Sequence, residues 1–233
     1  MSRHTITHAD ELFVGAPQAG GINQSLRGIS MLAIHRQIIE DAIAPDPDGI
    51  VEAVAVAAAG AVTLDGTFVD SNGVAVLDFA RNISLDSANA GDTTQTATIT
   101  GTDIVGNLQV EDVDLNGTTE VFGAKAFKTV TSVVLDALMA GDLIVGTPVA
   151  GDTEFGLNAK LVEAFDVLHA FEADGTAEGG TFTLADVTDP ATAVTGDTKG
   201  TFQPSNAPDG AVDYILYWIP QLTKEAYGAN FTG

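Results

Sequence analysis

The chain has 233 residues, 45% of them hydrophobic, and no cysteine, so one large β domain can bury a core while disulfides, thiol catalysis and thiolate metal sites are excluded. Thirty-two acids against nine lysines and arginines give a formal net charge of −23. Such a chain repels nucleic-acid phosphates and anionic membrane surfaces. The acids are scattered and form no block. That pattern suits solubility in a salty medium, where screening acts over roughly 8 Å, or complementarity to a basic partner.

Residues Met1–Asp10 lack a basic segment followed by an apolar one, so no secretory signal is expected and the chain reads as soluble and made in the cytoplasm. The longest apolar run, Val54–Ala59, falls far short of the ~20 residues that a membrane span needs. Residues 1–40 hold three acids and three arginines, so the whole negative excess lies beyond them. The shift predicts an N-terminal arm over residues 1–48 and a body over residues 49–233.

The arm opens with a polar extended segment and a Gly-rich piece, Gly15–Gly21. A helix is predicted from about Asn23 to Ala44, with Asn23 or Ser25 as its cap and Pro45 and Pro47 as its stop. Ile29, Leu32, Ile39 and Ile43 fall at helical spacing, and Met31, Ile34 and Ile38 widen the stripe. The helix either packs on its own body or docks on a neighbouring subunit. The docking alternative makes Ile29, Leu32, Arg36 and Ile39 interface candidates.

After Gly49, Thr, Val, Gly, Asp and Ala dominate, and turn residues recur at the spacing of a sandwich or barrel. The fold class is therefore mainly β: an antiparallel β-sandwich or barrel, with one α-helix in the arm. Alternation predicts strands at Val62–Val69, Thr94–Thr100 and Leu108–Leu115. Asn116-Gly117 then predicts a two-residue type I′ hairpin turn. Further strands are expected at Val74–Arg81, Phe127–Leu135, Asp142–Val145, Thr181–Val187 and Val212–Ile219. Leu161–Phe171 fits a helix face or an alternating strand, and its Phe and Val favour strand. The Gly-Asp dipeptides at residues 91, 141, 151 and 196 read as turns. The segment Val212–Ile219 is apolar on both faces, so it is either central in a sheet stack or covered by another subunit. Tyr217 and Trp218 are the interface candidates there.

The chemistry-bearing patterns are few. The histidines are His4, His8, His35 and His169, and no serine sits in a nucleophile-elbow context. His4 and His8 have the spacing of metal ligands on a helix, but their segment is polar and poor in helix signals. Neither phosphate-binding glycine motif is present. Asp112, Asp114 and Asn116, with Gly117, match the opening of a calcium loop, but position twelve is Gly123 where Glu is required. The same residues also read as a strand entering a turn. Asn82, Asn116 and Asn230 open formal glycosylation sequons that are incidental without a signal peptide. Tyr214, Tyr217, Trp218 and Tyr227 could form a sugar-binding platform, against packing in a core or interface. No cofactor is expected.

Several runs carry a resemblance: Ala80–Leu85, Ala97–Asn107, Gly123–Val133, Thr195–Ser205 and Ala207–Gly210. Over roughly residues 75 to 215 the chain resembles small virion structural proteins, capsid decoration or cement proteins, of marine and other proteobacterial tailed bacteriophages. These are turn-and-strand motifs and bring no catalytic residue. The resemblance implies a non-enzymatic protein on the capsid surface, with the major capsid protein as partner and a homotrimer as its assembled form. From the charge balance, no nucleic-acid or membrane partner is expected. The alternatives are a tail or fibre component of the virion, or a carbohydrate-binding adhesin module.

Overall fold

A computed structural model of the chain describes residues 34–149, 151–172, 175–196 and 198–220. They form a mainly β, antiparallel fold with one curled, half-barrel-like sheet, as the alternation predicts. The strands are β1 (His35–Ile39), β2 (Val51–Ala55), β3 (Gly60–Ala61), β4 (Ala75–Ser87), β5 (Thr96–Thr102), β6 (Leu108–Asp114) and β7 (Val121–Leu135). They continue as β8 (Asp142–Gly146), β9 (Phe155–Gly156), β10 (Val167–Glu172), β11 (Thr181–Thr183), β12 (Thr201–Gln203) and β13 (Tyr214–Trp218).

Two long strands frame the larger sheet. Its order is β11-β12-β9-β4-β7-β5-β6, with β8 on β4, β2 on β8 and β3 on β7. Both β4 and β7 carry register shifts, at Val76/Arg81 and Asn82/Ser84. Such irregularities bend a strand and increase its twist. One half of β7 therefore pairs β5 while the other half swings away along β4. The concave side holds the first core, which includes Leu77, Ile83, Leu85, Ile99, Phe127, Val130 and Val133.

The smaller sheet is β1-β13-β10. β13 is its central strand, which accounts for a segment apolar on both faces. Tyr214, Leu216 and Trp218 point into a second core with Ile39, Phe155, Leu161 and Phe202, while Ile215 and Tyr217 face the other way and are half-buried. Of the ambiguous segment Leu161–Phe171, Ala164–Asp166 make one 3-10 turn and the rest, from Val167, is strand β10.

The predicted helix over Asn23–Ala44 is corrected in its described part, where His35–Ile39 is strand β1; residues 23–33 lie outside the described residues. β13 needs a hydrogen-bonding neighbour on each edge, and that tertiary demand overrides a helical stripe. The stripe itself is broken, with Ile39 fully buried and Ile43 40% exposed. Residues 42–48, assigned to the arm by charge, are bonded to the body: Ile43 N–H donates to Asp78 at 2.9 Å and Asp46 N–H to Thr147 Oγ1 at 2.8 Å. The predicted strand at Val62–Val69 does not form: β3 ends before it at Ala61, and within it only Val69 makes a bridge, to Ala75. Its middle instead wraps the chain at Gly49 and Ile50, whose carbonyls accept from Asp65, Gly66 and Phe68.

Trp218 is fully buried in the second core. Trp218→Ala is expected to destabilise the protein by about 3–5 kcal/mol, read as the shift in a chemical-denaturation midpoint. An unchanged midpoint would contradict its burial.

Candidate functional site

The interface candidates separate into core and surface. Ile39 and Trp218 are core residues. Arg36 is exposed and lies in register with the half-buried Tyr217 on the outer face of the small sheet. Ile29 and Leu32 lie outside the described residues, as do Gly15–Gly21, His4, His8 and Tyr227. Tyr214 is buried as well, so Tyr214 and Trp218 cannot supply an exposed sugar platform. His35 pairs in register with Trp218, their ring centroids 4.7 Å apart. The chain therefore enters β1 and leaves β13 at the same end of one ladder.

The calcium candidates are not brought together as ligands. Asp112 and Asp114 stand on one face of the regular strand β6, about 7 Å apart along it. Each carboxylate accepts from the threonine opposite on β5: Asp112 from Thr98 Oγ1 and Asp114 from Thr96 Oγ1, both at 2.7 Å. The turn that follows is displaced by one residue from the expectation. Thr119 N–H bonds Asn116 C=O, and Gly117 has φ +62 while Thr118 stays negative. That is the type II′ pattern with glycine first, not type I′ with asparagine first. Nor does it join ladder partners, because β6 pairs with β5.

The turn is instead clasped by a neighbouring loop through Asp92. Gly117 N–H donates to Asp92 C=O at 2.8 Å. The Asp92 carboxylate accepts from Ser87 Oγ at 2.6 Å and from the Ala140 and Gly141 amides at 2.9 Å each. The Ser87 bond, with those two amides, holds its carboxyl below the usual carboxylate range.

The buried charge that sequence reasoning missed lies where β6 faces the first half of β7. Here the two strands share no ladder, and side chains close the seam. Gln109 Nε2 donates to Ala126 C=O at 2.6 Å. Glu111 Oε1 accepts from the Ala124 and Lys125 amides at 2.6 and 3.0 Å. Lys125 Nζ donates to Val110 C=O and Thr192 C=O, both at 2.9 Å. Glu111 and Lys125 are both buried, and Gly123 makes room for Glu111 Oε2, which a Cβ there would overlap. Burial pushes the Glu111 carboxyl up to about 7, against the opposing pull of those amides and of Lys125.

A second pair closes the lower end of the seam. Asp103 bonds the Lys199 ammonium and accepts from the Val105 and Asn107 amides at 2.9 Å each. Burial works to raise the Asp103 carboxyl, but Lys199 and those amides outweigh it and hold it low. The cleft between Asp103, Gln109, Ala126, Leu157 and Lys199 has room for little more than a water molecule.

The basic side chains are thus largely spent inside. Arg81 is fully buried on Asp78 and the Ile43 carbonyl. Lys128 Nζ is held by the Leu77 and Asp78 carbonyls at 2.5 and 2.7 Å. These groups tie backbone to backbone, and none faces a cleft large enough for a substrate. Among the described residues no three His, Asp or Glu side chains are grouped to hold a metal ion, and no helix is long and apolar enough to cross a membrane. Comparison with protein-family models, with curated proteins and with solved structures gave no match.

The Asp92 clasp has a pH signature. Its folded carboxyl is held low, so the unfolded chain binds the proton more readily, and the clasp's stabilisation, full above the ordinary carboxylate value, is lost as pH falls from there through the lowered folded value. Asp92→Asn is expected to lower stability at neutral pH and to flatten the acid loss. Unfolding midpoints from about pH 6 to pH 2 check this. Identical pH slopes in the two proteins would contradict it.

Proposed function

We propose that the chain is a non-enzymatic virion structural protein, a capsid decoration (cement) protein that binds the major capsid protein of a tailed-phage head and stabilises the shell. The observation that supports this most is the pairing of His35 with Trp218. The described chain therefore begins at residue 34 and ends at residue 220 at the same end of that ladder, and residues 1–33 carry no net charge. Charge asymmetry agrees with attachment through that end. Of the cations beyond residue 40, Arg81, Lys125, Lys128 and Lys199 are engaged internally, so the outward surface of the body is strongly acidic.

An acidic exterior suits a particle surface in a salty medium, where screening lets like-charged bodies stand side by side. The resemblance over residues 75 to 215 points the same way. Proteins that share one self-complementary surface close into rings, and a homotrimer on a three-fold site of the shell is the assembled form proposed here.

Mass spectrometry of purified particles is expected to find the chain at a copy number matching the head lattice. A copy number too small to cover the head would make it a tail or fibre component, and its absence from particles would end the virion reading. Deleting residues 1–22 is expected to abolish particle binding while the β body still folds. Full decoration by the truncated protein would show that the arm does not carry attachment.

A further inference from the structure

We infer that residues 186–196 form a latch over the β6/β7 seam, and that its closure is coupled to the proton on Glu111. This inference stands independently of the virion reading.

The loop is a compact Ω-shaped excursion whose neck is stitched by one side chain. Asp186 accepts from the Gly196 amide at 2.7 Å and from the Thr188 amide at 2.9 Å. Those bonds, beginning with Thr188, hold the Asp186 carboxyl down to about 2, so the neck keeps its charge at every pH of interest. The tip is ordered by bonds of the Val194 and Thr195 amides to Thr192 Oγ1, at 3.1 and 2.9 Å. It carries little apolar anchor, since Val194 is 70% exposed. Two hydrogen bonds tie the tip to the sheet: Lys125 Nζ donates to Thr192 C=O and Asp112 N–H to Ala193 C=O, at 2.9 and 3.0 Å. A segment so held opens at far lower free energy than the core strands beneath it.

Both ties rest on the residues beside Glu111. Its charged neighbours are Lys125 from β7 and Asp112 next to it on β6, and Asp186 of the loop interacts in turn with Lys125. Asp112 accepts from Thr98 and Asp186 from its neck amides, and as carboxylates neither offers Glu111 a donor. Glu111 Oε2 is buried with no donor. With the proton on Glu111, the Lys125 ammonium is free to serve Val110 and Thr192. Loss of the proton buries a carboxylate with one bare oxygen. Lys125 turning to it, or water entering to solvate it, removes the Thr192 tie and lifts the tip.

The sign follows from linkage. The closed state holds the Glu111 carboxyl at about 7, against 4.5 for the ordinary group. Closure is therefore favoured at low pH, and the opening equilibrium grows as pH rises between those values, by at most about 300-fold.

The test is native-state hydrogen exchange on the full chain, reading the Asp112 amide against the amides of β5 after correction for intrinsic rates. The opening constant of Asp112 is expected to rise at least about tenfold between pH 5 and pH 8, and to stay flat in Glu111→Gln. An equal rise in the variant, or no rise in the natural chain, would overturn the latch. Should the variant not fold, the carboxyl carbon resonance of Glu111 in the natural chain decides. A midpoint shared with the Asp112 opening supports the coupling, and titration in the ordinary carboxylate range refutes it.

Discussion

The fold turns on one buried guanidinium. β4 must serve two cores at once, and Arg81 occupies the point where it passes from one to the other. Its Nη2 bonds Asp78 at 2.5 Å and the Ile43 carbonyl at 2.8 Å, and its carbon lies 5.0 Å from the centre of the Phe155 ring. Phe155 belongs to the second core, Ile43 to the connection out of β1, and Asp78 to β4 itself. A buried charge that loses its partner costs about 3–5 kcal/mol, so these elements are obliged to meet where they do. The Asp78 carboxylate also accepts the Ile43 amide, which fixes the chain leaving β1 from two directions.

Much of this was legible in the residues, and the failures share a cause. Strand β5 follows period-two patterning and β13 a run apolar on both faces, both carried by local sequence, and β6 and β8 form within a residue of their expected bounds. The first strand is not marked in this way, because its pairing with β13 joins residues some 180 positions apart, at His35 and Trp218. The polar seam was hidden for a subtler reason. In Leu108–Leu115 the apolar residues change parity midway, from Leu108 and Val110 to Val113 and Leu115. Only the second set faces inward; Leu108 is 68% exposed while Gln109 and Glu111 are buried. An alternating segment whose apolar phase slips marks a strand with polar side chains turned inward. Gly123, which faces Glu111, was legible only as a departure from a calcium loop, although its lack of a side chain is what admits the carboxylate.

The same economy governs the charges. A chain this acidic has few cations to place, and most of those described are held by main-chain carbonyls or single carboxylates of the body. Lys125 at the seam and Lys128 on β4 serve main-chain carbonyls that strand pairing leaves unfinished, and Lys199 pairs the Asp103 carboxylate beside the β5–β6 turn. The acids on the surface are then unopposed, and the balance between cohesion and repulsion passes to the ionic strength of the surroundings.

The antiparallel pairing of β1 with β13 also sets how the body answers to force. Pulled apart by its two outer segments, the ladder is loaded at its open end, and its hydrogen bonds, which run across the strands, fail singly in succession. The small sheet would peel first, and with it the cover of the second core. Hung by both segments from one support, the same ladder carries no such tension.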